Sequence, residues 1–84
     1  MITFARSDNT SNRFSTIPKQ VDSRFTYFMY CNDVFVGTTY GIAVKRLEVK
    51  TPLHEIYQFD VDLLKRIQKR NISAKDILKF ATKV

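Results

Sequence analysis

The residues of this sequence best suited to chemistry are the cations near its C-terminal end. The last 26 residues hold seven basic and three acidic side chains, which is +4 of the formal net charge of +6. The basic residues are Lys65, Arg66, Lys69, Arg70, Lys75, Lys79 and Lys83. Most of them stand four residues apart, a spacing that brings side chains to one side of a helix. Seven cations on two adjacent helices would neutralise several phosphates, so the pattern predicts salt-sensitive contact with nucleic acid.

The joint between the two basic segments suggests a more specific alternative. Asn71, Ile72 and Ser73 give two predicted helices the short connection of a helix-turn-helix, whose second helix enters the major groove. The joint lacks the usual Gly, and Lys stands where base reading tends to use Arg, Asn or Gln. The sequence therefore favours a solvated basic face, or contact with nucleic acid regardless of its sequence, over base reading.

Residues that commonly serve catalysis or metal binding are few. His54 is the only histidine and Cys31 the only cysteine, so the chain offers no histidine cluster and no Cys-His metal set. Asp60 and Asp62 are better explained as the cap and the first-turn acid of a helix than as a catalytic pair. The two glycines match neither glycine-rich phosphate-binding fingerprint. We therefore expect no catalytic residue, no metal site and no cofactor.

A second candidate surface comes from an aromatic β-hairpin. Residues 24–40 hold two β-prone runs on either side of Asn32 and Asp33, a pair that tolerates the left-handed conformations of a two-residue turn. The resulting pairing sets Cys31 opposite Val34, Met29 opposite Val36 and Tyr27 opposite Thr38, with Gly37 facing Phe28.

Both faces of this hairpin carry large apolar side chains, whereas a sheet with one wet face alternates apolar and polar residues. Phe28, Tyr30 and Phe35 share one of the two faces. The favoured interpretation is that helices cover one face and that the N-terminal segment, or a second copy in a homodimer, covers the other. The alternative is an exposed aromatic platform that binds a partner protein, with stacking of unpaired bases as a special case.

Helical patterns are predicted to position the basic residues. In residues 40–49 a stripe at i, i+3, i+4 and i+7 predicts a helix, with a third strand as the alternative. The stripe consists of Tyr40, Ala43, Val44 and Leu47. Thr51 and Pro52 are a helix-start signal for Leu53, Ile56 and Tyr57. This pattern either runs on as one helix over residues 53–70 or breaks where Asp60 caps a new helix.

The last helix has the clearest pattern. Ser73 with Asp76 three residues later resembles a capping box. The apolar stripe after it is Ile77, Phe80, Ala81 and Val84. At the other end of the chain, residues 1–6 suit an edge strand, residues 7–12 are a polar turn cluster, and residues 14–17 suit a short extended piece.

Length and composition limit the class of protein. A chain of 84 residues is expected to form one domain, mainly β over residues 1–40 and mainly α over residues 41–84. A single cysteine excludes an internal disulfide and fits a reducing compartment, so we expect the cytoplasm of the cell or of a host cell. No stretch approaches the roughly 20 apolar residues of a membrane span, and the first residues lack a signal-peptide pattern. Small size and basic composition are typical of phage accessory proteins.

Together these patterns predict an α+β fold. A small antiparallel sheet is built on the hairpin of about residues 24–40, and a helical C-terminal half packs on one face. The predicted function is a small, non-catalytic regulatory module that contacts nucleic acid through the seven basic residues. The alternative is a protein-binding module that inhibits or redirects a larger partner enzyme through Phe28, Tyr30 and Phe35 or through the basic helices. No contact with a membrane is expected.

Overall fold

Seven antiparallel strands form one sheet in the computed structural model of this protein, which describes residues 1–18, 26–43 and 45–84. The strands are β1 (Ile2–Arg6), β2 (Asn9–Phe14), β3 (Tyr27–Cys31), β4 (Val34–Ala43), β5 (Arg46–Lys50), β6 (Ile56–Asp60) and β7 (Thr82–Lys83). Their order across the sheet is β2-β1-β3-β4-β5-β6-β7. Two short helices, α1 (Val61–Ile67) and α2 (Ala74–Ile77), lie between β6 and β7 in the chain, and a 3-10 helix (Leu78–Phe80) follows α2.

The β3–β4 hairpin has the predicted turn. Asn32 and Asp33 adopt φ angles of 50° and 65°, the left-handed pair that matches the twist of the flanking strands. Cys31 lies opposite Val34, as predicted. The predicted hairpin also included residues 24 and 25, which lie outside the described residues.

Beyond the turn, the predicted register is wrong by one residue. Tyr30 pairs with Phe35 but Met29 pairs with Gly37, so Val36 is the extra residue of a β-bulge. Val36 lies in the buried core, while Phe35, its neighbour, faces the other side of the sheet. Tyr27 consequently pairs with Thr39 instead of Thr38.

Gly37 has a different role from the predicted one. It does not face Phe28, which pairs with Thr38. A Cβ on Gly37 would clash with the backbone oxygen of Lys50 and lie 2.7 Å from Cγ1 of Val49. Glycine is therefore required where the start of β4 approaches the end of β5.

The helix predicted over residues 40–49 is wrong, and the alternative of a third strand is correct. Most of the segment belongs to β4 and β5. Within β5, Leu47 and Val49 are buried, whereas Arg46 and Glu48, which alternate with them, are more exposed. This alternation has the period of a strand, because successive side chains point to opposite faces. Val44, which belonged to the predicted helical stripe, lies outside the described residues.

The helix predicted from Leu53 is also wrong. The chain instead makes a tight turn after β5, in which the backbone N–H of Thr51 donates to the Glu55 carbonyl at 2.8 Å and that of His54 donates to the Thr51 carbonyl at 2.9 Å. His54 has a φ of 63°, and Leu53 is 78% exposed. Strand β6 begins at Ile56, so residues 53–70 are not one helix.

Helix α1 begins where the alternative interpretation placed it. The Asp60 side chain accepts hydrogen bonds from the backbone N–H groups of Asp62, at 2.8 Å, and Leu63, at 3.2 Å, which satisfies two donors at the helix start. Leu64 and Ile67 are buried against the sheet. The helix has only seven residues.

The predicted final helix is reduced to a single turn. Ser73 caps it, since its hydroxyl accepts a hydrogen bond from the Asp76 N–H at 3.1 Å. Helix α2 has four residues, and the chain then passes through the 3-10 helix into β7, which pairs with β6. Of the predicted apolar stripe Ile77 is buried, whereas Phe80 and Val84 are exposed.

These elements overturn the predicted helical C-terminal half. Strands β5, β6 and β7 all come from that half, and the described residues contain only short helices. The helical spacing of the apolar residues gave a wrong prediction because pairing with neighbouring strands decides whether a segment forms a strand more than its local propensity does. The protein is mostly antiparallel sheet.

The core lies between one face of the sheet and the two helices. Its buried residues are Ile2, Phe4, Met29, Cys31, Val36, Leu47, Val49, Phe59, Leu64, Ile67 and Ile77. Strand β1, predicted to be an edge, lies inside the sheet between β2 and β3. Strand β2 forms the edge instead, and it includes part of the predicted polar turn cluster. The Ile2 N–H donates to the Gln68 carbonyl at 2.9 Å, which ties β1 to the residues after α1.

Candidate functional site

Four cations form an exposed group at the end of α1. Lys65 and Arg66 lie in its last turn, and Lys69 and Arg70 lie in the turn that follows. All four side chains are exposed, because Leu64 and Ile67 turn the other side of this segment into the core. None of the four forms an ion pair with any residue that the structure describes. We call Lys65, Arg66, Lys69 and Arg70 the α1 basic surface.

The predicted four-residue spacing of these cations does not lie along one helix. Helix α1 ends at Ile67, and the Arg70 N–H donates to the Ile67 carbonyl at 3.0 Å in a turn beyond the helix. The four charges still fall within six consecutive residues. Lys65 and Arg66 also interact favourably with the helix dipole, since cations are stabilised at a helix C-terminus.

The other three basic residues do not form the predicted line. Lys75 lies on α2, Lys79 on the 3-10 helix and Lys83 on β7. Nζ of Lys79 lies 3.1 Å from Oδ1 of Asp76, and Lys83 forms an ion pair with Glu55. Lys75 is exposed and has no ion pair among the described residues.

The pKa values reflect these two ion pairs. The hydrogen bond from Lys79 is the main cause that lowers the pKa of Asp76, and Ser73 adds a second hydrogen bond. The hydrogen bond to Glu55 raises the pKa of Lys83. Lys79 and Lys83 therefore each have a carboxylate partner, whereas the cations of the α1 basic surface have none among the residues that the structure describes.

The second helix is too short for the predicted helix-turn-helix. A four-residue helix is a single turn of about 6 Å at 1.5 Å per residue, which is too short to lie along a major groove. The α1 basic surface can therefore contact phosphates, but the segment after it offers no recognition helix.

The aromatic residues singled out in the hairpin do lie together. The Phe28 and Phe35 ring centroids are 5.4 Å apart, and those of Tyr30 and Phe35 are 5.7 Å apart, both edge to face. They occupy the sheet face opposite the helices, since Phe28 and Tyr30 alternate with the core residues Met29 and Cys31. Tyr30 is only 9% exposed and Phe35 is 40% exposed. We call Phe28, Tyr30 and Phe35 the aromatic cluster.

Arg13 joins this cluster, although sequence reasoning missed it. Its guanidinium carbon lies 3.7 Å from the Tyr30 ring centroid, and its NH1 lies 2.7 Å from Oδ1 of Asp33. Arg13 pairs with Ala5 across β1, where a small side chain leaves room for the arginine to extend towards β3. The only signal was an arginine in a polar run, and its role depends on the β1–β2 pairing.

The residues considered for catalysis have structural roles or lie apart. The buried Cys31 thiol donates to the Ile72 carbonyl at 2.8 Å, and burial raises its pKa, which disfavours the reactive thiolate. Asp60 caps α1. His54 is exposed in the turn after β5. Within the described ranges, no group of three His, Cys, Asp or Glu residues is placed to hold a metal ion.

Comparisons with protein-family models, with curated proteins and with solved structures find no match for this chain. In the part of the chain that the structure describes, every helix is too short to cross a membrane.

Proposed function

We propose that this protein is a small, non-catalytic binding module that contacts nucleic acid through the α1 basic surface. The observation that supports this proposal is the group of four exposed cations within six residues, none of which has an ion pair among the described residues. Uncompensated cations at this density attract phosphates and displace their counterions. The net charge of +6 adds a long-range attraction to any polyanion.

The contact that we propose is with the phosphate backbone and does not depend on base sequence. Phosphate contacts position a protein on nucleic acid, whereas sequence is read through base edges in the grooves. The α1 basic surface stands on one short helix and a turn, and no recognition helix follows it. Lys75 lies apart on α2, while Lys79 and Lys83 are paired with carboxylates.

The experiment is a titration with duplex and single-stranded oligonucleotides of mixed sequence at two salt concentrations. The test variant replaces Lys65, Arg66 and Lys69 with Gln. The control variant replaces Lys45, Arg46 and Lys50 with Gln, which lowers the net charge by the same three units on β5 and the turn before it. Fluorescence anisotropy gives the dissociation constant of each variant, and the amide NMR spectrum verifies that each one is folded.

We expect the test variant to bind at least tenfold more weakly than the control variant. Its logarithmic salt dependence should also be shallower by about 0.9 for each lost phosphate contact on duplex DNA. Equal losses in the two variants would mean that only net charge matters, and the α1 basic surface would then not be the site. Binding that is unchanged in both variants would contradict the proposal as a whole.

The aromatic cluster supports a second candidate, a protein-binding module that inhibits or redirects a larger enzyme. Phe35 is 40% exposed and is supported by two ring contacts, which is typical of an aromatic anchor at an interface. A Phe35→Ser variant should leave oligonucleotide binding unchanged under this candidate. A loss of oligonucleotide binding as large as that of the test variant would instead assign the cluster to nucleic acid.

The compartment that we propose is the cytoplasm. The single thiol of this chain is buried and forms no disulfide, which suits a reducing environment, and nucleic acid is accessible there.

A further inference from the structure

An apolar groove lies where the start of β4, the turn of residues 51–55 and α2 meet. Its volume is about 280 Å³. The apolar lining consists of Phe35, Val36, Pro52, Leu53, Ala74 and Leu78. Two charged residues, Glu55 and Lys75, also line it. We call this cavity the Leu53 groove.

Leu53 is held out into solvent by a well-defined turn. Thr51 makes three of the hydrogen bonds of that turn: two through its backbone, with Glu55 and His54, and one in which its hydroxyl accepts from the Glu55 N–H at 3.2 Å. Thr51 is itself buried, so the turn is anchored at its base. Leu53 nevertheless remains 78% exposed. A large apolar side chain presented on an ordered turn loses little conformational freedom when it binds, which favours association.

Of the described charges around the Leu53 groove, one cation has no ion-pair partner within the described ranges. Glu55 is paired with Lys83, and Asp76 is paired with Lys79. Lys75 has no ion pair among the described residues, and its charge acts on Asp76 only as the weakest of the influences that lower the pKa of that carboxyl. Among the described residues, the groove therefore presents apolar surface beside one positive charge that has no carboxylate partner.

The shape of the groove fits a side chain better than a free small molecule. Pockets for small molecules usually bury most of the surface of their ligand, whereas this groove is open to solvent. A second copy of the chain is a poor occupant, since each copy carries a net charge of +6 and like charges oppose association. The available Lys75 and the net charge both favour an acidic protein.

We propose that the Leu53 groove receives a large apolar side chain from an acidic partner protein, and that a carboxylate next to that side chain pairs with Lys75. The inference deepens the second candidate function by naming the chemistry of the partner. It is independent of nucleic-acid contact at the α1 basic surface. Phe35 lines the groove at the start of β4, whereas its ring contacts Phe28 and Tyr30 on the opposite face of the sheet.

The test uses a short synthetic peptide in which two leucines and a phenylalanine stand among glutamates. A second peptide has lysines in place of the glutamates. Each peptide is titrated into the intact protein while amide NMR spectra are recorded. We expect the acidic peptide to shift the resonances of Leu53, Lys75 and Leu78, and the basic peptide to leave them in place.

Variants of the protein then test the two parts of the proposed contact. Leu53→Ser should weaken binding of the acidic peptide roughly tenfold, whereas Val84→Ser, a change at a similarly exposed apolar residue outside the groove, should leave it unchanged. Lys75→Glu should reverse the preference between the two peptides. Lys69→Glu makes the same charge change on the α1 basic surface and should preserve the preference.

Several results would overturn the inference. Absence of groove shifts at millimolar peptide, or equal binding of the two peptides, would show that the groove does not select an acidic apolar segment. A dimer in sedimentation that Leu53→Ser dissociates would assign the groove to a second copy of the chain. Oligonucleotide shifts confined to the groove would assign it to nucleic acid, whereas loss of oligonucleotide binding in the Lys65, Arg66 and Lys69 variant alone would leave the inference intact.

Discussion

The α1 basic surface and the aromatic cluster lie on opposite sides of the sheet, here called the helical side and the aromatic side. The two sides differ in whether their cations have partners within the chain. On the aromatic side Arg13 is stacked on Tyr30 and paired with Asp33, so its charge already has partners within the protein. On the helical side Lys65, Arg66, Lys69 and Arg70 have no such partners among the described residues. A cation held by its own chain stabilises the fold, whereas an unpaired exposed cation remains available to a ligand. The two surfaces therefore suit different ligands.

The helical side depends on the buried residues beneath α1, and Leu64→Ala should have the largest effect on it. Leu64 is fully buried, and truncating such a leucine removes apolar contacts and leaves a cavity. We expect the free energy of unfolding to fall by about 3 kcal/mol, as measured by chemical denaturation. The same truncation at the exposed Leu53 should change it by less than about 0.5 kcal/mol.

Hydrogen exchange would show which side of the protein this change affects first. The amides of α1 should lose more protection than those of β3 and β4 if the helical side can open separately. Equal loss on both sides would show that the two surfaces share one cooperative unit. A Leu64→Ala protein as stable as the parent would contradict the packing of α1 described above.

The aromatic side depends on the course of β4 at its bulge, next to which Gly37 lies against β5. Gly37→Ala would push a Cβ against the Lys50 backbone and Val49, and backbone cannot yield as a flexible side chain does. We expect a loss of about 2 kcal/mol in the free energy of unfolding, within the range found for overpacked sites. Thr38→Ala, one residue further along β4, is the matched control and should cost well under that amount.

The structural consequence of Gly37→Ala should concentrate on the aromatic cluster. Phe35 pairs with Tyr30 next to the bulge, so a shift of β4 at Gly37 would change the contact between these two rings. Ring-to-ring nuclear Overhauser effects between Phe35 and Tyr30 provide the measurement. Unchanged effects together with unchanged stability would mean that β4 accommodates the extra carbon.

The two sides also differ in how far the sequence predicts them. The Asn32-Asp33 turn and the Asp60 cap were predicted because each depends on local backbone chemistry that few residues provide. The aromatic cluster was predicted as a group because Phe28, Tyr30 and Phe35 follow from the pairing next to that turn. The four cations of the α1 basic surface were found because they are neighbours in the chain.

What the sequence did not predict depends on pairing between distant segments. Residues 40–49 match a helical stripe and an alternating strand almost equally well, and pairing with β4 and β6 decides between them. The bulge at Val36 lies next to the close approach of Gly37 to β5, a contact between segments that is not visible within the hairpin. Arg13 reaches Tyr30 only because β1 lies between β2 and β3.

The internal use of Arg13 leads to a prediction of intermediate size. Arg13→Met keeps the length of the side chain but removes both the ion pair with Asp33 and the charge above the Tyr30 ring. Because Arg13 is partly exposed and exposed ion pairs contribute little, we expect a loss of only about 1 kcal/mol in the free energy of unfolding. Oligonucleotide binding by this variant should remain close to that of the parent.

Asp33→Asn separates the two contacts of Arg13. Asparagine tolerates the left-handed conformation of this turn, so the substitution removes the ion pair and preserves the hairpin. We expect a loss of roughly 0.5 kcal/mol or less, smaller than that of Arg13→Met. An Arg13→Met variant that binds oligonucleotides as weakly as the Lys65, Arg66 and Lys69 variant would remove the distinction between the two sides.

The smallest expected effect tests whether Asp76 is paired with Lys79 and not with Lys75. The pKa of Asp76 lies below its ordinary value of 3.8, chiefly because of the hydrogen bond from Lys79. A carboxyl whose pKa is lower in the folded state stabilises the fold above its unfolded pKa, and this contribution disappears as the pH falls through the folded pKa. Carbon-detected NMR titration of the Asp76 carboxyl should show its pKa rising in Lys79→Gln and changing less in Lys75→Gln. A larger change in Lys75→Gln would mean that Asp76 holds Lys75, and the Leu53 groove would then lack its available cation.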